Sequence, residues 1–224
     1  MRSENKTMAL ESLFDIAPLE AQQILKSASH PLFVKKGDSI YRAGETPEFI
    51  FGLQSGMVGL ILHGENGQDH LVRLFKRGQI FGHRSLLGRE KYHATSYALE
   101  NCSLLLYPKQ IFIDCLGKFP DMAEHLIRCL AKDLGAAELR IALLTEKTVR
   151  SRVAQALIAL KELYPNHQWT RKEIAEFCSS TTPTVIRTLG RFEEQGLISQ
   201  IGRDIQVLNR DGLLDLINDE NDSQ

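Results

Sequence analysis

Cysteine is scarce in this sequence, and the few thiols are far apart. The four cysteines among the 224 residues are Cys102, Cys115, Cys129 and Cys178. No pair has the short spacing of a zinc or iron–sulfur ligand set, which excludes the usual forms of those sites. Each cysteine has apolar neighbours in the sequence, so we expect buried, reduced thiols.

Long apolar runs are lacking as well. No segment approaches the ~20 consecutive apolar residues of a membrane-spanning helix. The first residues, MRSENKTMALESLF, do not contain the apolar core of a secretory signal. We therefore expect a cytoplasmic protein that has no membrane partner.

Catalytic motifs are also missing from the sequence. It contains no nucleophile–base pair, no phosphate-loop lysine motif and no metal-ligand cluster. Its histidines at 63, 70, 83 and 93 fall among predicted strands, with no carboxylate at a fixed spacing. The sequence thus predicts no catalytic residue and no metal site, and a protein that is not an enzyme.

What the sequence does contain begins with short apolar runs separated by glycines, from residue 33 to 107. Strands are predicted at 50–53, 57–62, 70–75 and 103–107, with turns at Gly37, Gly44, Gly56, Gly67 and Gly78. Many short strands at regular spacing indicate an antiparallel sandwich or barrel. Before it, helical spacing is predicted for Leu10, Leu13, Phe14, Leu19, Ile24 and Leu25.

A heptad pattern follows Pro120 and predicts a helix over 121–147. Its two apolar rows are Ile127, Leu134 and Ile141, and Leu130, Ala137 and Leu144. A second apolar face, formed by Leu126, Leu139 and Leu143, is expected to pack within the chain. The heptad rows would then form a parallel coiled-coil dimer. The alternative is that they pack on the sheet of the same subunit.

Two short helices joined by a tight turn are predicted after Trp169. Thr170 and Glu173 have the spacing of a capping box, and residues 178–181 form the turn. The second helix is expected to begin with Thr182 as N-cap and Pro183 as its first residue. It would bury Val185, Leu189 and Phe192 and end at Gln195 and Gly196, before a two-stranded hairpin in SQIGRDIQVL.

This arrangement is typical of a winged helix-turn-helix that binds DNA. Residues 150–210 contain nine basic residues against six acidic ones. The predicted DNA contacts are Arg171, Lys172, Thr181, Thr182, Thr184, Arg187 and Arg191. Among these, Arg187 is expected to reach guanine O6 and N7 in the major groove, and Arg171 and Lys172 to reach phosphates. The alternative is a winged helix that makes protein contacts.

Three blocks together resemble the bacterial Crp/Fnr family of transcription regulators: KKGDSIYRAGETPEFIFGLQSGMVGLI, VRLFKRGQIFG and TRKEIAEFCSSTTPTVIRTLGRFEEQGLI. The resemblance implies an α+β fold with an antiparallel β-roll of the cyclic-nucleotide-binding jelly-roll type (1–118), a long dimerisation helix (119–147) and a C-terminal winged helix-turn-helix (148–224). It also implies a homodimer that binds a two-fold symmetric operator in double-stranded DNA and regulates RNA polymerase.

The sequence departs from this family in its ligand segment. Cyclic-AMP-binding members have a Glu after a Gly and an Arg-Ser pair further on. The corresponding residues here are Gly82, His83, Arg84 and Ser85, then Tyr92, His93 and Ala94. The first six of these residues form the candidate ligand pocket, for which a cyclic nucleotide, haem bound by His83 or His93, or another ligand remain open. The N-terminal cysteine cluster of iron–sulfur members is missing.

The helix-turn-helix departs at two positions. Pro183 stands where many members have the Glu that accepts a hydrogen bond from cytosine, and Ser179 stands where the turn usually has Gly. Arg187 corresponds to the arginine of the family that contacts a base. The family's common half-site therefore cannot be carried over, while contact of Arg187 with a guanine is still expected.

Overall fold

The computed structural model describes residues 17–65 and 67–218. The helices are α1 (Leu19–Ala28), α2 (His83–Leu87), α3 (Lys109–Lys118), α4 (Pro120–Glu146), α5 (Val149–Leu163), α6 (Arg171–Phe177), α7 (Thr182–Glu194) and α8 (Arg210–Asn218). The predicted helical positions Leu19, Ile24 and Leu25 lie in α1, whereas Leu10, Leu13 and Phe14 lie outside the described residues. None of these helices is both long and apolar enough to span a bilayer.

The strands are β1 (His30–Val34), β2 (Ser39–Tyr41), β3 (Phe49–Ser55), β4 (Val58–His63), β5 (Asp69–Phe75), β6 (Ile80–Phe81), β7 (Thr95–Ala98), β8 (Cys102–Pro108), β9 (Ile198–Ile201) and β10 (Asp204–Val207). They form two four-stranded sheets, in the orders β1-β8-β3-β6 and β2-β7-β4-β5, and a separate hairpin of β9 and β10. The pairings of β8 with β1 and β3, and of β7 with β2 and β4, are antiparallel. The predicted antiparallel β domain and α+β class are confirmed.

Glycine positions account for the turns between these strands. All five glycines that the sequence predicts in turns have positive φ, from 72° at Gly67 to 91° at Gly37. At Gly56 a side chain is excluded for a second reason, because a Cβ would lie 2.5 Å from the backbone oxygen of Asn101. The turn between β3 and β4 thus requires glycine both for its conformation and for its close backbone approach.

The described residues form two compact units. One lies within Met1–Leu62 and Arg73–Gly135, the other within His63–Val72 and Ala136–Gln224. The boundary between Gly135 and Ala136 lies inside α4, so each unit includes about half of this long helix. The predicted segment boundaries after residues 118 and 147 lie close to the ends of α3 and α4.

Two apolar clusters stabilise the first unit. In one, side chains of the two sheets meet, and the ring of Phe81 stacks on Phe51 and Phe75 at centroid distances of 5.1 and 5.2 Å. In the other, α1, α3 and the start of α4 pack on β3 and β8 through residues that include Leu25, Phe112, Met122, Leu126, Ile50 and Tyr107. Cys102 and Cys115 are buried in these clusters, as expected, and Cys178 is buried as well, whereas Cys129 is only half-buried.

The second unit has its own core beneath α6 and α7. Its fully buried side chains include Val153, Leu157, Leu160, Ile174, Val185, Leu189, Phe192 and Ile205. Within this unit the Arg140 guanidinium donates hydrogen bonds to the carbonyl oxygens of Leu71 (2.7 Å), Val72 (3.1 Å) and Phe177 (2.5 Å). Burial lowers the pKa of Arg140. This side chain therefore fixes the C-terminal end of α6, where the turn towards α7 begins.

Candidate nucleic-acid interface and ligand pocket

Helix α6 begins with the predicted capping box. The hydroxyl of Thr170 accepts a hydrogen bond from the backbone N–H of Glu173 (3.1 Å), and the Thr170 N–H donates to the Glu173 carboxylate (2.8 Å). Burial favours a higher pKa for Glu173, but hydrogen bonds from His167 and Thr170 outweigh it and lower the pKa. The carboxylate is therefore ionised near neutral pH, and it fixes the start of the first helix of the motif.

The turn between α6 and α7 contains a strained residue. Ser179, which stands where the family usually has glycine, has a φ of 52°. Its hydroxyl is 3.2 Å from Nδ1 of His70, and its carbonyl accepts from Arg152 at 3.4 Å. Positive φ is unfavourable for residues that carry a Cβ, so the turn adopts this conformation at a cost in stability.

Ser179→Gly is expected to unfold at a higher urea concentration than Ser179→Ala. Both variants lose the hydroxyl, but only alanine keeps the Cβ at positive φ. We expect a difference in unfolding free energy of about 1 kcal/mol, which includes the greater entropy of unfolded glycine. Urea titration followed by circular dichroism measures it. Equal stabilities of the two variants would contradict a strained turn.

Helix α7 begins one residue earlier than predicted. The N-cap is Thr181, whose backbone is extended (φ −89°, ψ 148°) and whose hydroxyl accepts from the Thr184 N–H at 3.4 Å. The predicted N-cap, Thr182, is instead the first helical residue, and Pro183 is the second. The prediction was wrong because proline is tolerated throughout the first turn, where N–H groups have no partner within the helix.

The buried face of α7 is the one that the sequence predicts. Val185, Leu189 and Phe192 are fully buried. Pro183, Ile186, Arg187 and Arg191 are exposed on the opposite face, with Thr182 and Gly190 half-buried beside them. The Arg187 guanidinium donates to the Thr184 hydroxyl at 3.2 Å. Its position one turn into an exposed helix suits contact with a base edge.

The end of α7 leads directly into the hairpin wing. Gly196 has a φ of 70°, its N–H bonds to the Glu193 carbonyl, and the Leu197 N–H bonds to the Phe192 carbonyl. These two bonds form a Schellman motif, which confirms the predicted helix end at Gln195 and Gly196. The wing follows at once as β9 and β10, paired antiparallel.

The structure also places Arg171, a predicted phosphate contact, against the wing. Its guanidinium donates to the carbonyl of Arg203 (2.8 Å) and to the Gln200 side chain (2.7 Å). The Glu193 carboxylate in turn accepts from the Gln200 backbone N–H (2.6 Å). Arg171 and its two partners lie about 30 positions apart, so sequence spacing gave no signal for these contacts. Lys172, the neighbouring predicted contact, is exposed and lies 3.5 Å from the Glu176 carboxylate.

All six residues of the predicted ligand pocket line one cavity in the first unit. Gly82, His83, Arg84, Ser85, Tyr92 and His93 surround a volume of about 60 Å³. The lining is completed by Ala94, from the same segment, and by four residues that no local pattern in the sequence indicates: Tyr41, Leu60, Arg73 and Phe75. The rings of Tyr41 and Tyr92 stack at 3.7 Å. These extra residues come from three strands and the segment before β7, which only the fold brings together.

His83 is the polar group in this cavity that has no partner. It is 4% exposed, and neither ring nitrogen has a hydrogen-bond partner among the described residues. Burial lowers its pKa to about 4, with a further contribution from the charges of Arg73 and Arg84. The imidazole is therefore neutral near pH 7, with one donor and one acceptor nitrogen available.

The basic side chains of the pocket, in contrast to His83, are paired with carboxylates. Arg73 makes a two-pronged ion pair with Asp133, in which one guanidinium nitrogen lies 2.6 Å from Oδ1. Nε2 of His93 lies 2.7 Å from the Glu90 carboxylate, and Arg84 lies 3.7 Å from the same carboxylate. The basic side chains of the lining are thus paired with carboxylates that do not line the pocket, and the buried part of the polar lining includes the neutral His83.

Helix α4 carries an exposed apolar stripe. Ile127, Leu134 and Ile141 are 65%, 61% and 62% exposed, Ala137 is exposed, and Leu130 and Leu144 are half-buried. Leu126, expected to pack within the chain, is buried. Leu139 is 71% exposed, so its predicted packing within the chain was wrong. The row of Ile127, Leu134 and Ile141 is therefore left uncovered by the described chain, whereas Leu130 packs against the apolar cluster of α1 and α3.

Two family sequence models match the segments that contain most of the helices and strands described above. The sequence model for the cyclic nucleotide-binding domain matches residues 31–119, and that for the Crp-like helix-turn-helix domain matches residues 151–216. The chain belongs to the Crp/Fnr family. The relatives of this chain are transcription regulators and not enzymes, in agreement with the lack of catalytic motifs in the sequence.

Individual Crp/Fnr relatives match along most of their length. The cyclic AMP receptor protein of Thermus thermophilus is 29% identical over 185 residues, which cover 82% of this chain and 85% of the relative. The fumarate and nitrate reduction regulatory protein of Vibrio cholerae is 24% identical over 192 residues, which cover 82% and 76%. The structure of a CRP/FNR-family transcriptional regulator of Thermus thermophilus has a TM-score of 0.69 at 25% identity and covers 85% of this chain and 100% of the regulator. The chain is thus a Crp/Fnr-type transcription regulator with a DNA-binding helix-turn-helix.

Proposed function

We propose that this regulator works as a homodimer that binds a two-fold symmetric DNA operator and regulates RNA polymerase in the bacterial cytoplasm. The observation that carries the proposal is the exposed stripe on α4, in a chain that has a helix-turn-helix. Ile127, Leu134 and Ile141 follow one another at intervals of seven residues. This spacing keeps them on one seam of a left-handed coiled coil.

A second copy of the chain is the partner that this stripe fits. Three large aliphatic side chains stay more than half exposed along a helix of 27 residues. Full burial of one such side chain stabilises by roughly 1.5–3 kcal/mol, so a paired stripe gains several times that amount. Two-fold pairing of the helices would also supply two copies of α7, as a symmetric operator requires.

We further propose that the pocket of the first unit binds a small polar effector other than a cyclic nucleotide. His83 and His93 occupy the segment where cyclic-AMP-binding members have an acidic residue and an arginine. The neutral His83 offers a donor and an acceptor in place of a carboxylate. A cavity of about 60 Å³ is also far below the roughly 300 Å³ at which pockets for drug-sized ligands begin.

We infer that haem is not the effector either. The unpartnered nitrogens of His83 have the chemistry of an axial ligand, but a porphyrin is many times larger than the cavity. The ring of His93 is engaged by Glu90. The effector class favoured is a molecule of a few non-hydrogen atoms that exchanges hydrogen bonds with His83.

Cyclic AMP at about 1 mM is expected to leave the melting temperature of the full chain unchanged. A ligand at 100 times its dissociation constant would add roughly 2.7 kcal/mol and raise the melting temperature by several degrees. Differential scanning fluorimetry measures the shift. A saturable rise that Arg84→Ala abolishes would overturn the proposed effector class, but would leave the proposed dimeric regulator intact.

The His83→Leu variant is expected to be less sensitive to acid than the unmodified chain. The folded pKa of His83, about 4, lies below the ordinary value of 6.5, so the unfolded chain binds the proton first as the pH falls. The contribution of neutral His83 to the unfolding free energy is therefore fully present above about pH 6.5 and is lost as the pH falls towards 4. By pH 5 the loss due to His83 is on the order of 2 kcal/mol. Urea titrations of the variant and of the unmodified chain at pH 7 and pH 5 measure this loss. An equal decrease in unfolding free energy in the two proteins would contradict a buried, neutral His83.

Genomic fragments that the full chain retains test the proposed function as a whole. The retained fragments are expected to share a two-fold symmetric sequence, with a guanine in each half. Enrichment of no common sequence would overturn operator binding. It would instead favour a helix-turn-helix that makes protein contacts.

A further inference from the structure

One large apolar side chain stands on the exposed face of α7. Ile186 is 54% exposed, although the other large apolar residues of this helix lie in the core. It directly precedes Arg187, and no element of the described chain covers it. On the surface predicted to enter the major groove, this side chain therefore presents aliphatic carbon where hydrogen-bonding groups are the rule.

Pro183 extends this apolar surface by one turn. It lies three residues before Ile186, which places the two side chains side by side on the helix. Pro183 is exposed and has neither a polar side-chain atom nor a backbone N–H. We refer to Pro183 and Ile186 together as the apolar step. Pro183 also lies four residues before Arg187, so an apolar and a cationic side chain share one exposed side of the helix.

The floor of the major groove offers one apolar group, the C5-methyl of thymine. At the other positions the base edges present donors and acceptors that are hydrated in free DNA. An aliphatic side chain displaces that water without replacing its hydrogen bonds, which is unfavourable. An apolar step in the groove therefore favours thymine, both by contact with its methyl group and by disfavouring the alternatives.

We propose that Ile186, supported by Pro183, selects a thymine beside the base pair contacted by Arg187. The inference rests on the proposed function, because it requires α7 to enter the major groove of an operator. Neighbouring Cα atoms are about 3.8 Å apart, and base pairs rise about 3.4 Å. The contacts of Ile186 and Arg187 therefore fall on the same or adjacent base pairs. Many family members have an acidic residue at the position of Pro183, which accepts a hydrogen bond from cytosine. In this chain the apolar step would instead give a preference for thymine.

The test begins with an operator selected by the full chain from random duplexes. Each thymine of one half-site is then replaced by deoxyuridine, which pairs in the same way but lacks the methyl group. For the unmodified chain, one replacement beside the Arg187-dependent guanine is expected to weaken binding about threefold to tenfold. Ile186→Ala is expected to bind the two duplexes equally, and Ile186→Val to keep part of the preference.

The matched control is Ile113→Ala, which removes the same atoms from an exposed isoleucine on α3 in the other unit. It should keep the full preference for thymine. Ile186→Ala is exposed and improves helix propensity, so folding is not at risk. Selection of no common sequence would refute the proposed function. An Arg187-dependent operator whose affinity is indifferent to every deoxyuridine, or whose preference survives Ile186→Ala, would overturn this inference alone.

Discussion

Arg187→Ala is expected to reduce affinity for the selected operator by about 1–3 kcal/mol, or roughly 5-fold to 150-fold. The guanidinium is exposed on the outer face of α7 and is positioned by its hydrogen bond to Thr184. Its loss removes a two-pronged contact with guanine O6 and N7, so discrimination at one position of each half-site should also disappear. Fluorescence anisotropy with the operator and with single-base variants measures both effects.

Arg171→Ala provides the comparison for a basic residue on the same surface. Arg171 is bound to the wing through Arg203 and Gln200, so its loss should loosen the wing and weaken binding to all sequences alike. It should lower the salt dependence only to the extent that the wing contacts phosphates. If Arg187→Ala left both affinity and base preference unchanged, the assignment of the outer face of α7 to base contact would be wrong.

Ile141→Asp is expected to convert the proposed dimer into a monomer. Ile141 is 62% exposed on the heptad stripe of α4. In a parallel pair of helices the substitution places two carboxylates opposite each other in an apolar seam, where charge is costly. A monomer engages only one half-site, so operator affinity should fall by at least about 100-fold. Sedimentation velocity and multi-angle light scattering measure the mass directly.

Leu139→Asp is the matched control on the same helix. Leu139 is 71% exposed but lies off the heptad rows, so this variant should remain a dimer with unchanged operator affinity. A dimer that survives Ile141→Asp, or is lost in both variants, would place the interface elsewhere. The comparison also separates an effect on the seam from a general effect of charge on α4.

The winged helix was predictable in detail because its signals are local. The capping pair Thr170 and Glu173, the periodic burial of Val185, Leu189 and Phe192, and Gly196 each act within one or two helical turns. The β-turn glycines were predictable for the same reason. The error of one residue at the start of α7 also has a local cause, since Thr181 and Thr182 are chemically equivalent caps and the sequence does not distinguish them.

The pocket shows the limit of local signals. The segment from Gly82 to His93 was identified through a family resemblance, but its chemistry depends on groups that the fold supplies. Arg73 and Tyr41 reach the cavity from β5 and β2. The absence of a partner for His83 within the described residues follows from how its neighbours pack. Its low pKa is a consequence of that burial, which residue type and spacing do not encode.

The sequence alone predicts the succession of a β domain, a long helix and a winged helix, the heptad stripe on α4 and the place of Arg187 on α7. These features depend on periodicity, turn chemistry and capping, which are all set by residues close together in the sequence. The exposure of Leu139, the contact of Arg171 with the wing and the contact of Arg140 with the end of α6 depend on the fold and are not predictable from the sequence. Such contacts join residues distant in the chain, and their geometry is set by packing.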